Sequence, residues 1–372
     1  MGKESNNTVQ AFWVAVGSFS TMVLGILSAA ILSRFFNKSD YGTYKQILYV
    51  YSSLLIIFTA GLPRVFSYFL PRYPIEEGKS IVAKVNNVLF VGGLAFAIFL
   101  FSFSNIIGSL LKNNELGYAL KVFSPIPIFL LPTLGIEGIF ATYKKTYIIA
   151  IYNTCSRILM LMCIILPVII FKGTYIHALY GWLLSSMISF FAAYYLKSLP
   201  FKGEKFVKTS LQYKSIFAYS IPLVIASGWG IAIKSADQFY VSRFFGSEVF
   251  AEFSNGFIEL PFVSMVTTST SVVLMPYFSK IIHQNTDKEG LVKTWVSALS
   301  KSAKICYPLI VFFIFFANKI MVLLYSNLYV HSGIYFQINM VLNFFNIIIF
   351  APLFLALGKG KEYSNVHMVL AL

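Results

Sequence analysis

Two oppositely charged residues lie deep inside apolar stretches of this sequence, where a charge is unusual. Arg157 stands near the middle of the apolar segment 146–171, and Glu137 lies in the preceding segment 122–143. A charge near the centre of a bilayer costs about 2.5–3.5 kcal/mol on insertion scales, so it needs a partner, a wet cavity or a route to the interface. Two interpretations of Arg157 stay open: a cavity cation that receives a phosphate group, or a buried ion pair with Glu137. Both can hold, because a carboxylate can keep the guanidinium in place until an anionic ligand displaces it.

A second set of charged residues lies further along the chain. Lys234 and Asp237 are three residues apart on one predicted helix and so share a face, and Glu259 lies at a similar depth on the next predicted helix. These three residues could form one network. It would be either a structural ion cluster or a site that couples the activity of the protein to protons or sodium ions.

Three further cations, Arg64, Lys304 and Lys319, are closer to the ends of apolar segments. Their long side chains can reach the membrane interface, which explains them without a function. Arg64 could instead guard the cytoplasmic mouth of a cavity. We therefore group Arg64 with Arg157 and Glu137 as predicted substrate-binding residues.

The composition identifies the elements that must hold these charges. Of 372 residues, 58% are hydrophobic and 12% are charged. This apolar content exceeds that of an average soluble domain, and it is arranged in successive runs long enough to cross a bilayer, which takes roughly 20 helical residues. The sequence therefore predicts an all-α polytopic membrane protein.

The net charge of +15 is spread over short connectors and not gathered in one patch. We therefore expect the basic residues to face the anionic inner leaflet of the membrane, and no nucleic acid. Cys155, Cys163 and Cys306 all lie inside apolar segments, with no spacing typical of a metal site or a disulfide framework.

Hydropathy predicts ten complete helices, at 10–34, 46–70, 85–111, 122–143, 146–171, 175–196, 215–242, 253–279, 302–325 and 333–357. An eleventh helix begins near Glu362 and is cut off at Leu372, at roughly half the length that a span needs. Most Lys and Arg residues fall on one side of the membrane if the N-terminus is cytoplasmic, so the positive-inside rule predicts that orientation. The longest connectors, 197–214 and 280–301, are then both cytoplasmic, and the first separates two halves.

The tetrapeptide Ser-Arg-Phe-Phe occurs twice, at Ser33–Phe36 and at Ser242–Phe245. Both copies end the first helix of a half, and six helices separate them, which preserves their orientation. The pattern predicts two pseudo-symmetric six-helix lobes, residues 1–200 and 201–372, of which the second is incomplete. Transporters commonly rock two such lobes against each other; the alternative is a duplication kept only for packing.

Several short motifs resemble those of a known family. A helix that ends in Leu-Ser-Arg is followed by the acidic and tyrosine-rich turn Asp40–Tyr44, and the second half opens with Tyr-Ser-Ile-Pro-Leu at Tyr219–Leu223. The stretch ALGKGKEY at Ala356–Tyr363 follows the tenth helix. These features resemble bacterial polysaccharide-biosynthesis flippases (O-antigen or capsule, Wzx-type) of the multidrug/oligosaccharidyl-lipid/polysaccharide (MOP) exporter superfamily. Members of that branch have about twelve helices, more than this chain shows.

The resemblance implies a MATE-like MOP fold and a flippase that moves a polyprenyl-diphosphate-linked oligosaccharide across the bacterial inner membrane by alternating access, for surface polysaccharide biosynthesis. It implies no covalent chemistry, so we expect no enzyme and no cofactor, with H⁺ or Na⁺ as candidate coupling ions. The implied partners are the lipid-linked oligosaccharide, membrane lipids and the polysaccharide polymerase machinery.

Two alternatives stay open. A multidrug cation antiporter of the same superfamily would need carboxylates that face its cavity, whereas cations outnumber acids among the embedded residues of this chain. A membrane polymerase or glycosyltransferase would carry its catalytic residues on a sizeable outer loop or in an acidic motif near the outer face. The outer connectors predicted here are short, which disfavours the polymerase or glycosyltransferase.

Overall fold

The computed structural model describes residues 7–258, 260–284 and 288–350, together with residues 353, 354, 357, 362, 365 and 366. Every regular element in this part of the chain is helical. The α-helices are α1 (Asn7–Phe35), α2 (Lys38–Thr59), α3 (Pro63–Phe69), α4 (Ile75–Leu110), α5 (Asn114–Phe123), α6 (Ile126–Leu130), α7 (Ile136–Thr142), α8 (Thr146–Ile170), α9 (Tyr175–Ser198), α10 (Tyr213–Gly256), α11 (Pro261–Gln284), α12 (Lys288–Phe315), α13 (Ala317–Tyr325) and α14 (Ser332–Asn346). Short 3₁₀ turns occupy Leu70–Arg72, Leu131–Thr133, Leu199–Phe201 and Asn327–Tyr329.

Within the described residues, seven helical segments are long and apolar enough to cross a membrane: Phe12–Phe35, Lys38–Arg72, Ile75–Leu110, Asn114–Thr142, Thr146–Ile170, Tyr175–Phe201 and Glu289–Phe315. The number rises to eight if the bent pair Ser235–Gly256 and Pro261–Thr268 forms one span. The prediction of an all-α polytopic membrane protein is therefore confirmed. The count of ten helices stays a prediction, since the tenth runs past residue 350 and the eleventh lies almost wholly outside the described residues.

Four spans begin at least eight residues earlier than hydropathy predicts: the second, the third, the fourth, which begins at Asn114 and not at 122, and Glu289–Phe315, which begins inside the predicted connector 280–301. The second begins at Lys38 and not at 46, because the Oδ1 of Asn37 accepts a hydrogen bond from the backbone N of Asp40 at 2.8 Å and so caps the helix. The third begins at Ile75 and not at 85, with Pro74 before its first turn and acidic residues inside that turn. Hydropathy assigned these polar helix ends to connectors, although their capping chemistry favours helix.

The fourth span is broken into α5, α6 and α7, where the sequence predicted one helix at 122–143. Three prolines, Pro125, Pro127 and Pro132, each remove a backbone donor that a continuous helix would use. The chain turns at Gly135, whose φ of +86° lies in the left-handed region, and the ring of Phe66 stands 2.2 Å from where a Cβ would be. Only glycine fits this turn, after which α7 begins at Ile136.

The chain divides into two compact units, Met1–Glu248 and Val249–Leu372. In the first unit α1 packs along α8, α8 along α9, and α4 against α5 and α6; in the second, α12 packs against α11 and α14. The helix α10 passes from one unit to the other and bends at Gly246, where φ is 82°. The predicted lobes, 1–200 and 201–372, are defined by the internal sequence repeat, whereas the two units are defined by their compactness. The division into lobes stays a prediction.

Candidate functional site

The first unit contains a cavity of about 330 Å³ between α1, the broken fourth span, α8 and α9. Helical periodicity places its walls: on α9 the lining residues recur at intervals of three and four from Trp182 to Ser189, and α8 shows a similar stripe from Tyr152 to Met160. The lining residues are Thr21, Leu130, Thr133, Glu137, Tyr152, Asn153, Ser156, Arg157, Met160, Trp182, Ser185, Ser186 and Ser189. The cavity is therefore mixed in character, with hydroxyl, amide, aromatic and charged groups.

Two of the predicted substrate-binding residues, Glu137 and Arg157, line this cavity together. No ion pair between them is found in the described part of the chain. Glu137 instead accepts a hydrogen bond at its Oε1 from the Nδ2 of Asn153 at 3.1 Å, and the Nη1 of Arg157 contacts the Sδ of Met160 at 3.5 Å. The cavity interpretation of Arg157 therefore fits the geometry without the ion pair, while the role of both residues in binding stays a prediction.

The guanidinium of Arg157 reaches across to α1. A Cβ added at Gly25 would lie only 2.8 Å from the Nη2 of Arg157, so the bare backbone of α1 leaves room for the cation. Gly25 occupies the repeat position that matches Lys234 in the second half. In the first half the cation is therefore Arg157 of α8, whose guanidinium lies over Gly25 of α1. In the second half the position equivalent to Gly25 is itself a lysine, Lys234.

Trp182 forms a rigid wall of the cavity that sequence reasoning missed. Its side chain is 4% exposed and meets Phe123 edge to face at 5.1 Å between ring centroids and Tyr51 at 6.2 Å. Its Nε1 is buried and has no hydrogen-bond partner within the described residues. The backbone oxygen of Trp182 accepts hydrogen bonds from Ser185 at 2.9 Å and Ser186 at 2.7 Å. The stripe of Trp and Ser at helical spacing in an apolar helix was the signal that could have identified this wall.

The third predicted substrate-binding residue, Arg64, lies elsewhere. It is exposed on the short helix α3, near the end of the second span, and is not among the cavity-lining residues. Its position suits a side chain that reaches the membrane interface. A role for Arg64 at a cavity mouth stays a prediction.

The predicted network of Lys234, Asp237 and Glu259 can be followed only in part. Glu259 and the side chain of Lys234 lie outside the described residues. Asp237 is exposed on α10, and its Oδ1 accepts a hydrogen bond from the backbone N of Gln238 at 2.7 Å. In the part of the chain that the structure covers, no group of three or more His, Cys, Asp or Glu residues could hold a metal ion.

A polar contact joins α2 to α10 within the first unit, and we call it the α2–α10 contact. The Nε2 of Gln46 donates to the Oγ of Ser242 at 2.8 Å, and Asn113 donates to the Oε1 of Gln46 at 2.6 Å. Further along the helices, the hydroxyls of Ser53 and Ser235 lie 3.2 Å apart. Ser242 opens the second Ser-Arg-Phe-Phe copy, so this copy belongs to an interhelical contact.

Gly42 allows the same two helices to approach closely. A Cβ added there would lie 2.0 Å from the backbone oxygen of Ser247. Because backbone cannot yield as a flexible side chain can, any larger residue would push the N-terminal part of α2 away from α10 beside its bend at Gly246. This explains the glycine within the motif Asp40–Tyr44.

The fold is similar to that of several solved membrane transporters. A MOP superfamily transporter from Pyrococcus furiosus, described with a binding pocket of reverse polarity, matches with a TM-score of 0.64 and 14% identity, over 96% of this chain and 84% of that chain. A multidrug resistance MATE family transporter of the MOP superfamily in an outward-facing conformation matches with a TM-score of 0.63 and 12% identity, over 98% and 84%. A MATE structure in the straight conformation gives 0.62 and 13%, over 98% and 85%. At these identities the likeness establishes the fold alone, and it confirms the predicted MATE-like MOP fold.

No curated protein matches the chain. A family model described as polysaccharide biosynthesis protein matches residues 9–282, which is most of the chain and includes every cavity-lining residue. With its helical spans and its MOP fold, this multi-pass membrane protein belongs to the polysaccharide biosynthesis protein family.

Proposed function

We propose that this protein is a flippase that moves a polyprenyl-diphosphate-linked oligosaccharide from the cytoplasmic to the outer leaflet of the bacterial inner membrane, with its N-terminus in the cytoplasm. The observation that carries the proposal is the cavity of the first unit, in which the guanidinium of Arg157 has no carboxylate partner within the described residues. A guanidinium without an ion pair is suited to a phosphate, which it can bind through two parallel hydrogen bonds. Membership of the polysaccharide biosynthesis protein family supports the glycan part of the substrate.

The cavity chemistry suggests how the head of such a substrate is held. Arg157 takes the diphosphate, while Glu137, Asn153 and the serine hydroxyls of α9 bind sugar hydroxyls. Trp182 offers an apolar wall. A volume of about 330 Å³ is near the lower end of the roughly 300–1,000 Å³ of ligand pockets, so the cavity takes the diphosphate and the adjoining sugar and not a whole oligosaccharide.

Transport then requires alternating access and no covalent chemistry. The α2–α10 contact extends from Gln46 and Ser242, which are near the face that the positive-inside rule predicts to be outer, to Ser53 and Ser235 further along the helices. While α2 and α10 are in contact, the substrate cannot reach the outer side of the membrane. When the two helices separate, a path to the outer leaflet opens. Protons or sodium ions are the proposed coupling ions, and the polysaccharide polymerase machinery is the proposed recipient of the flipped substrate.

One observation favours a second candidate, a multidrug cation antiporter. Glu137 presents an exposed carboxylate to the cavity and makes no ion pair within the described residues. Such a carboxylate is the group that a cationic drug would need. Arg157 in the same cavity opposes this, because it would repel a cation.

Reconstitution in liposomes separates the two candidates. One set of vesicles carries a fluorescent lipid-diphosphate oligosaccharide, whose movement is followed by adding a membrane-impermeant quencher; a second set is loaded with a cationic dye. We expect protein-dependent movement of the lipid and no dye efflux. Dye efflux without lipid movement would contradict the flippase and establish the antiporter.

Substitution of Gly25 tests the placement of Arg157. Gly25→Ala puts a methyl group where the guanidinium lies, so the cation must move away from α1. A charged hydrogen bond is worth about 1.5–3 kcal/mol, and its partial loss should lower transport up to roughly tenfold. Because alanine favours helix over glycine by about 1 kcal/mol, the melting temperature should not fall. The matched control is Gly228→Ala, where no atom lies within 4 Å of an added Cβ, and it should leave transport unchanged.

A further inference from the structure

Lys197 is a buried cation that neither the sequence prediction nor the proposed transport mechanism uses. It lies in the last turn of α9, inside the span Tyr175–Phe201, and its side chain is only 1% exposed. Positive-inside reasoning placed it in the cytoplasmic connector that begins at 197. A charge within a span is costly unless its surroundings compensate it.

Neutral oxygens surround the ammonium group of Lys197. Its Nζ donates to the Oδ1 of Asn86 at 2.9 Å, to the backbone oxygen of Pro132 at 2.7 Å and to that of Leu134 at 2.5 Å. The ring of Phe66 lies 5.0 Å from the Nζ and presents its negative face. These four residues form what we call the ammonium cage. An ammonium has three donors, so all of them are satisfied without a carboxylate.

The cage exists because the fourth span is broken. Pro132 and Leu134 stand at the break, where the turn at Gly135 removes the next-turn donors that their carbonyls would meet in a continuous helix. Within a membrane such carbonyls need another partner. The lysine of α9 supplies it, and the ring of Phe66 both fills the space beside Gly135 and covers the ammonium.

The break also shapes the cavity. Thr133 precedes it and Glu137 follows it, and both line the cavity. The direction of α7 after the break places the Oε1 of Glu137 at 3.1 Å from the Nδ2 of Asn153 on α8. A change in the turn at Gly135 would therefore move Glu137 relative to Thr133.

We propose that Lys197 is a built-in monovalent cation that holds the broken fourth span in the shape that sets Thr133 and Glu137 on the cavity. It is a positioning residue, because it acts through the backbone of the span and does not line the cavity. Three neutral oxygens and an aromatic face also suit a small alkylammonium ion. A cage emptied by shortening the side chain should therefore bind one from solution.

The test measures the position of a cavity residue and not transport, so a failure of this proposal can be distinguished from a failure of the proposed function. The full chain, with Cys155, Cys163 and Cys306 replaced by serine, receives Glu137→Cys as a reporter, and the rate of its reaction with a water-soluble charged thiol reagent is measured. We expect Lys197→Met to slow this reaction at least tenfold. Without the ammonium, the carbonyls of Pro132 and Leu134 must pair with other donors, so α7 shifts and carries the reporter at position 137 away from the cavity. The matched control is Lys202→Met on the exposed connector, which should leave the rate unchanged.

Rescue distinguishes a cation from a space-filling side chain. Lys197→Ala leaves a void the size of propylammonium, so propylammonium should restore the reaction rate of the reporter, whereas 1-propanol, of similar shape and uncharged, should not. If Lys197→Ala is stable only when purified with propylammonium, that supports the proposal too. Equal rescue by 1-propanol, or a Lys197→Met protein that is monodisperse and reacts at the original rate, would overturn it.

Discussion

Replacing Arg157 with methionine should lower lipid translocation by more than a hundredfold while leaving the protein folded. Two hydrogen bonds from the guanidinium to a diphosphate are worth about 1.5–3 kcal/mol each, and a loss of about 3 kcal/mol already exceeds a factor of a hundred. Folding should not suffer, because Arg157 has no ion pair in the described residues and a charge within a span is itself costly. The measurement is the initial rate of translocation in liposomes, beside the melting temperature in detergent.

Two further variants sharpen this prediction. Arg157→Lys keeps the charge and loses the planar fork, so it should fall between the wild type and Arg157→Met. Arg34→Met removes an exposed arginine outside the cavity and should change translocation less than twofold, which is within the roughly 0.5 kcal/mol usual for surface changes. Wild-type translocation by a folded Arg157→Met protein would remove the residue from the substrate site.

Cross-linking α2 to α10 should stop transport reversibly. The hydroxyls of Ser53 and Ser235 lie 3.2 Å apart, so the pair Ser53→Cys and Ser235→Cys can form a disulfide of about 2.05 Å with little adjustment. A disulfide prevents the separation of the two helices, which the proposed alternating access requires. We expect oxidation to reduce translocation to the background of empty liposomes and a reducing agent to restore it.

The design of the cross-link needs a background without Cys155, Cys163 and Cys306, so that only the new pair can be oxidised. A protease site placed in the exposed connector at 202–208 reports the cross-link, because the two fragments stay joined only when the disulfide has formed. Each single cysteine variant, oxidised in the same way, should transport normally. Undiminished transport by a fully cross-linked protein would show that the α2–α10 contact does not open during the cycle.

Two of the cavity residues could be predicted from the sequence, because a charge within a membrane span is costly unless its surroundings compensate it. Arg157 and Glu137 stood out as charges in the middle of apolar segments, and the structure places both on one cavity. Their function in transport stays a prediction. Trp182 and the serines of α9 drew no such attention, because an indole or a hydroxyl is tolerated in a membrane helix without a partner of opposite charge. Their helical spacing is visible in the sequence, but the packing of α8 against α9 decides that this face lines a cavity.

Lys197 was misplaced for a related reason. Hydropathy ends the sixth predicted helix at 196 and counts the next lysine as part of a connector, which is correct for most terminal lysines. Its acceptors are two carbonyls freed by a break in another span and an amide on a third helix. No local pattern around position 197 contains that information.

The sequence by itself determined the class of this protein: long apolar runs oblige the backbone to form helices in a membrane, and a few embedded charges must be accounted for there. The tertiary structure decided which of those charges meet. The prolines and Gly135 break the fourth span, the bare backbone of Gly25 admits the guanidinium of Arg157, and the freed carbonyls of the break select Lys197. The reason is physical, since hydropathy depends on neighbours along the chain, whereas a cavity and an ammonium cage depend on distances between residues far apart in it.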